Sequence, residues 1–139
     1  MTQEPDLHLR VNGCRVDGSM VDDVYAFRLP PSPGDVRIIS RAGAQDELGL
    51  SRDPRVLGVG VRRIILWRGR QPAVIEADDP LLSEGFHAYE ADNGFRWTDG
   101  DAVVPAACFR DAGCVAVLEI YVAGSTKYPL LDSQCTIAA

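Results

Sequence analysis

Apolar and polar residues alternate in short runs along most of this chain, and the dominant period is two. Leu7, Leu9 and Val11 are separated by His8 and Arg10, which predicts a half-buried strand with His8 facing water. Asn12-Gly13 then supplies a turn, and Asp17-Gly18 a second one after Cys14 to Val16. Val24 to Leu29 puts Tyr25, Phe27 and Leu29 on one face. Pro30, Pro31 and Pro33 end that run, because proline cannot donate to a ladder. Asp35 to Arg41 repeats the pattern with Val36 and Ile38 on one side.

After a long polar connection, Ala42 to Pro54, the stretch Leu57 to Trp67 is apolar on both parities and interrupted by Gly58 and Gly60. That predicts a central strand carrying a bulge or a close approach of another backbone. Ala73 to Glu76 is placed to pair with it across the Gly69 to Pro72 turn. Cys114 to Val122 has every even position apolar and is the clearest strand; Ala102 to Phe109, with Pro105 in its middle, reads as two short extended pieces. Eight or nine short strands, frequent turns and no sustained helical period predict an all-β chain, an antiparallel β-sandwich with jelly-roll-like or Greek-key connections.

A chain of 139 residues fits one domain spanning 1–139, large enough to fold on a single apolar core without a disulfide or metal. The expected ordered core covers about residues 5–128, with a tail at 129–139 that frays. The formal net charge of −6 argues against nucleic acid or an anionic membrane surface as partner. Arg62, Arg63, Arg68 and Arg70 alternate with apolar residues and suit solvated strand faces better than a phosphate track. Cys14, Cys108, Cys114 and Cys135 lack zinc spacing, so neither a metal nor another cofactor is expected. The polar, acidic start reads as no cleavable secretory signal, no apolar run approaches a membrane span, and the expected location is the cytoplasm.

Chemistry concentrates in one stretch, Gly85 to Asp101, where four aromatic residues, a histidine, an arginine and several carboxylates fall together. A strand at Phe86 to Glu90, a turn at Ala91 to Gly94 and a second strand at Phe95 to Thr98 make a hairpin that sets Glu90 within reach of Arg96. His87, Tyr89, Glu90, Arg96, Trp97 and Asp99 are the candidate ligand-binding residues. An indole stacks on the apolar face of a sugar while carboxylates and arginine take its hydroxyls. The structural alternative makes Trp97 a core residue sealing the two sheets and Glu90–Arg96 a bidentate pair fixing the hairpin. No catalytic residue is assigned: the serines lack an activating Gly-x-Ser-x-Gly setting and no phosphate-binding glycine loop is present.

Three segments resemble a known group of domains: Pro5 to Val16, Asp53 to Ile64, and Gly85-Phe86-His87 with Glu90 and Arg96-Trp97-Thr98-Asp99-Gly100-Asp101-Ala102. Together they are similar to the β-rich region that follows the Hint (hedgehog/intein-type) module in some bacterial proteins. The Gly-aromatic, Glu, Arg-Trp-Thr pattern is also similar to that of β-sandwich accessory domains attached to bacterial glycosyltransferases. The resemblance implies a non-catalytic accessory module that binds a glycan or docks onto a neighbouring catalytic domain. Self-splicing chemistry does not carry over, because its Thr-x-x-His block does not occur here. The rival expectations are a small carbohydrate-active hydrolase using Glu90 with Asp99 or Asp101 as paired carboxylates, whose outcome depends on their separation, and a self-associating structural unit of unknown oligomeric state.

Overall fold

The computed structural model describes residues 2–31, 33–44, 49, 55–109, 116–124 and 128. Among the described residues there are twelve strands: β1 (His8–Val11), β2 (Cys14–Val16), β3 (Ser19–Val21), β4 (Val24–Leu29), β5 (Val36–Ile39), β6 (Gly43–Ala44), β7 (Val56–Leu57), β8 (Gly60–Arg68), β9 (Gln71–Glu76), β10 (Arg96–Trp97), β11 (Asp101–Val103) and β12 (Ala116–Gly124). Every pairing among them is antiparallel. One sheet runs β11-β5-β1-β2 and the other β10-β8-β12-β4-β3, with β9 sharing the β10 edge of β8. The fold is an antiparallel β-sandwich whose strand order is not sequential: β12 lies between β4 and β8. That is the crossover connectivity of Greek-key arrangements rather than of a simple meander.

The core fills the space between the sheets with the inward parity of each strand. Leu9, Val11, Val36, Ile38 and Ala102 come from the four-stranded sheet; Phe27, Leu29, Ile64, Leu66, Leu118 and Ile120 come from the larger one. Each such side chain, fully removed from water, contributes about 1.5–3 kcal/mol, so the alternation itself carries most of the stability. The predicted faces of Tyr25-Phe27-Leu29 and of Val36-Ile38 hold as read.

Several expectations are corrected. Leu57 to Trp67 is two strands, because Gly58 and Val59 turn the chain from the β6–β7 ribbon into the large sheet. The close approach expected there is present: a Cβ built on Gly58 would lie 2.7 Å from the Gly100 nitrogen and 2.9 Å from Ser40 Oγ. The expected bulge also occurs: Arg62 is an extra residue of β8 between the Tyr121–Arg63 and Val122–Val61 pairs, and Ala123 is an extra residue of β12 just beyond. The β8–β9 turn is only Gly69-Arg70, so Pro72 sits inside β9, where an edge strand tolerates its missing donor. Ala106–Phe109 is a single 3₁₀ turn rather than an extended piece.

His8 is buried at 7% exposure rather than facing water. It does point to the outer face of its sheet, but its Nδ1 lies 2.7 Å from the Asp6 carbonyl oxygen and the neighbouring side chains cover it. Tyr128 is fully buried and donates its hydroxyl to the Gly58 carbonyl at 2.6 Å, while Thr2 and Tyr128 exchange backbone hydrogen bonds of 2.9 and 2.7 Å. Cys14 and Cys108 are free thiols; Cys114, Cys135 and the tail 129–139 lie outside the described residues. Among the described residues no helix is long and apolar enough to cross a membrane.

Candidate functional site

The Gly85 to Asp101 stretch packs on the edge of the large sheet, where Arg96 and Trp97 pair with Val61 and Gly60 of β8. Its turn is as expected: Asn93 and Gly94 both donate to the Glu90 carbonyl, at 3.0 and 2.8 Å, and Gly94 takes the positive φ of 75° that a residue with a side chain disfavours. The arms are less regular than predicted. Bridges join Phe86 to Thr98 and Glu90 to Phe95, so one arm spends an extra residue between them and His87 to Tyr89 leave the ladder. The His87 nitrogen still donates to the Trp97 carbonyl at 2.8 Å.

Glu90 and Arg96 do not pair. Glu90 accepts from Arg55 Nη2 at 3.2 Å and from Asn93 Nδ2 at 2.6 Å. Arg96 turns the other way and donates through Nη1 to the Leu82 carbonyl, with the Asp79 carbonyl 3.5 Å away. The cause is directional: Glu90 bridges Phe95, not Arg96, so the two side chains leave opposite faces of the hairpin. Thr98 is the hinge of this region. It is fully buried, and its Oγ1 accepts from the Val59 nitrogen at 3.1 Å while its backbone exchanges bonds with Gly58 and Val59.

Trp97 is half-buried and stands outside the main core, edge to face with Phe95 at a centroid distance of 5.4 Å. It therefore does not seal the space between the sheets, a task met by the aliphatic rows and Phe27. Tyr89 is half-buried and its hydroxyl has no hydrogen-bond partner among the described residues. His87 Nε2 lies 2.7 Å from the Val56 carbonyl; a carbonyl only accepts, so that nitrogen carries the hydrogen. Asp99 is exposed and accepts from the Asp101 nitrogen at 3.0 Å, and Asp101 in turn accepts from Arg37 at 3.1 Å. Glu90, Asp99 and Asp101 are thus each engaged with separate donors.

The polar groups that sequence reasoning passed over lie on the outer face of the four-stranded sheet. Asp6, His8, Arg10, Arg15, Ile39, Ser40 and Arg41 wall a recess of about 330 Å³ there. Arg15 holds Asp6 at 2.8 Å and Asp17 at 2.9 Å. That hydrogen bond keeps the Asp6 carboxyl below its ordinary value, opposed by partial burial. Only the Asn12-Gly13 turn signalled any of this, since a two-residue hairpin loop puts Arg10 opposite Arg15.

A second depression, about 260 Å³, is walled by Glu4, Asp22, Asp23, Tyr25 and their neighbours. Burial, then the nearby Glu4 and Asp23 carboxylates, push the Tyr25 hydroxyl above its ordinary range. Among the described residues no group of three or more acidic, histidine or cysteine side chains is arranged to hold a metal ion. Compared with protein families, with curated proteins and with solved structures, the chain matches none of them.

Proposed function

We propose that this β-sandwich is a non-catalytic binding module, and that the hairpin at residues 85–101 offers its aromatic side chains to a glycan. One observation carries the reading: His87, Glu90 and Arg96 are each committed to a partner within the fold, whereas the Tyr89 ring and the Trp97 ring, which meets Phe95 edge to face, stay half-buried outside the core. Groups held in this way shape a surface and are not free to shuttle protons or attack. Ring faces paired with a hydroxyl are the elements that stack on and orient a sugar. The resemblance to accessory domains of bacterial glycosyltransferases and to the region following Hint modules supports the same reading by analogy.

The test is retention of the purified chain on a panel of immobilised glycans, with Tyr89→Ala and Trp97→Ala beside it. Retention of the wild type on at least one glycan, lost by Tyr89→Ala at an unchanged melting temperature, is the expected result. No retention on any glycan, or retention indifferent to both substitutions, overturns the assignment of ligand and surface.

A further inference from the structure

We propose that the recess on the outer face of the four-stranded sheet binds a small tetrahedral oxyanion: a phosphoryl or sulfuryl group, either free or carried as an ester on a small molecule. The inference does not depend on the glycan reading, since it concerns the other sheet and different residues.

The register assembles the site. Arg10 on β1 lies directly opposite Arg15 on β2 and directly opposite Arg37 on β5, so three guanidinium groups form one row across three strands. Like charges in directly opposed positions destabilise a sheet, and the outer two members of the row are neutralised. Arg15 sits between Asp6 and Asp17, at 2.8 and 2.9 Å; Arg37 sits between Asp35 and Asp101, at 3.3 and 3.1 Å. Arg10, the middle member, has no carboxylate or hydrogen-bond partner among the described residues. The four carboxylates gather on the two outer members, and the middle one faces the recess with none of its own.

The recess walls supply the rest. Arg10, Arg15 and Arg41 line it together with Asp6, which Arg15 already holds. Arg41 donates through Nη1 to the Glu4 carbonyl at 2.8 Å, which anchors its guanidinium at the edge. His8 contributes a buried imidazole whose Nδ1 hydrogen is spent on the Asp6 carbonyl, leaving Nε2 without a partner among the described residues. That nitrogen accepts from a protonated phosphate oxygen in the neutral ring and donates to an anionic one in the imidazolium. Guanidinium forks match the paired oxygens of such a group better than point charges do. The recess volume holds the group with a few further atoms. An extended polyanion would meet the surrounding negative field within a Debye length or so of the recess, about 8 Å at physiological ionic strength, so the ligand is a small one.

The test is a titration of the intact chain with inorganic phosphate, sodium sulfate and phenyl phosphate, each against sodium chloride at matched ionic strength. Affinity is read from the shift in melting temperature and from nitrogen-correlated spectra of the two imidazoles. The expected result is saturable stabilisation above the chloride control, with the His8 ring signals moving and those of His87 still. Arg10→Gln should weaken binding by about tenfold, the size of one lost charge-assisted contact, while Arg62→Gln on the other sheet leaves it unchanged. Tighter binding of phenyl phosphate than of phosphate assigns the site to an ester, and equal binding assigns it to the free ion. Stabilisation no greater than chloride provides, or binding indifferent to Arg10→Gln, overturns the proposal.

Discussion

The hairpin at residues 85–101 and the recess on the four-stranded sheet each set a histidine among charged groups, one arginine with four carboxylates in the hairpin and three arginines with one carboxylate in the recess, and they use them in opposite ways. In the hairpin the charged groups sit close together in sequence, and each is taken up by a group the fold brings to it: Glu90 by Arg55 and Asn93, Arg96 by the Leu82 carbonyl, His87 by the Val56 carbonyl. In the recess they come from positions 6 to 41, are gathered by three strands and a loop, and leave Arg10 unmatched. Closeness along the chain does not pair these groups: the fold supplies a partner to each one named in the hairpin, and in the recess it supplies none to Arg10 among the described residues.

Substitutions sharpen that contrast, beginning with the largest expected effect. Arg96→Met removes the donor to the Leu82 carbonyl in a half-buried setting, and should lower the unfolding free energy by about 2–3 kcal/mol in urea melts; a loss under about 0.5 kcal/mol would make the hairpin as dispensable as a surface loop. Glu90→Gln breaks a partly exposed ion pair with Arg55 and should cost about 1 kcal/mol or less by the same measurement. Arg10→Gln should leave stability within about 0.5 kcal/mol of wild type in the absence of added anion, and a small gain at low salt would follow from relieving the row. A large loss there would mean that Arg10 has a structural task after all, and the contrast between the two regions would fail.

Acid provides a finer probe of the recess. Asp6 is held below its ordinary value of 3.8, chiefly by the Arg15 hydrogen bond, so the unfolded chain takes up its proton first as the pH drops. The stability this pair contributes is present above pH 3.8 and is lost as the pH falls further, through the depressed folded value. The Arg15→Gln variant should show a shallower loss over that window in pH-dependent melts. At the alkaline end the sign reverses. Burial raises the Cys108 thiol and the Tyr25 hydroxyl above their ordinary 9.0 and 10.0, so stability should decline as the pH climbs past those values, and substituting Cys108 by Ser should soften the earlier part of the decline.

The strand pattern was legible because a sandwich asks each strand for one simple thing, an apolar residue at every second position, and β1, β4, β5 and β12 comply. What was not legible depended on register between distant strands. Nothing in the spacing of Arg10 and Arg37 says that they will lie side by side, since that follows from the pairing of β1 with β5. His8 was misplaced because alternation reports which face a residue takes, not how far its neighbours in the fold cover that face. The Glu90–Arg96 pairing failed because Glu90 lies opposite Phe95, which puts the next residue, Arg96, on the other face of the hairpin.

The backbone bridge between Thr2 and Tyr128 brings two points far apart in the chain to within a hydrogen bond of one another, in both directions. A short peptide link joining those points, with the chain reopened at the exposed Gly69-Arg70 turn, would give a circular permutant with the same sheets, and the same geometry would let a host protein accept the sandwich as an insert in one of its surface loops.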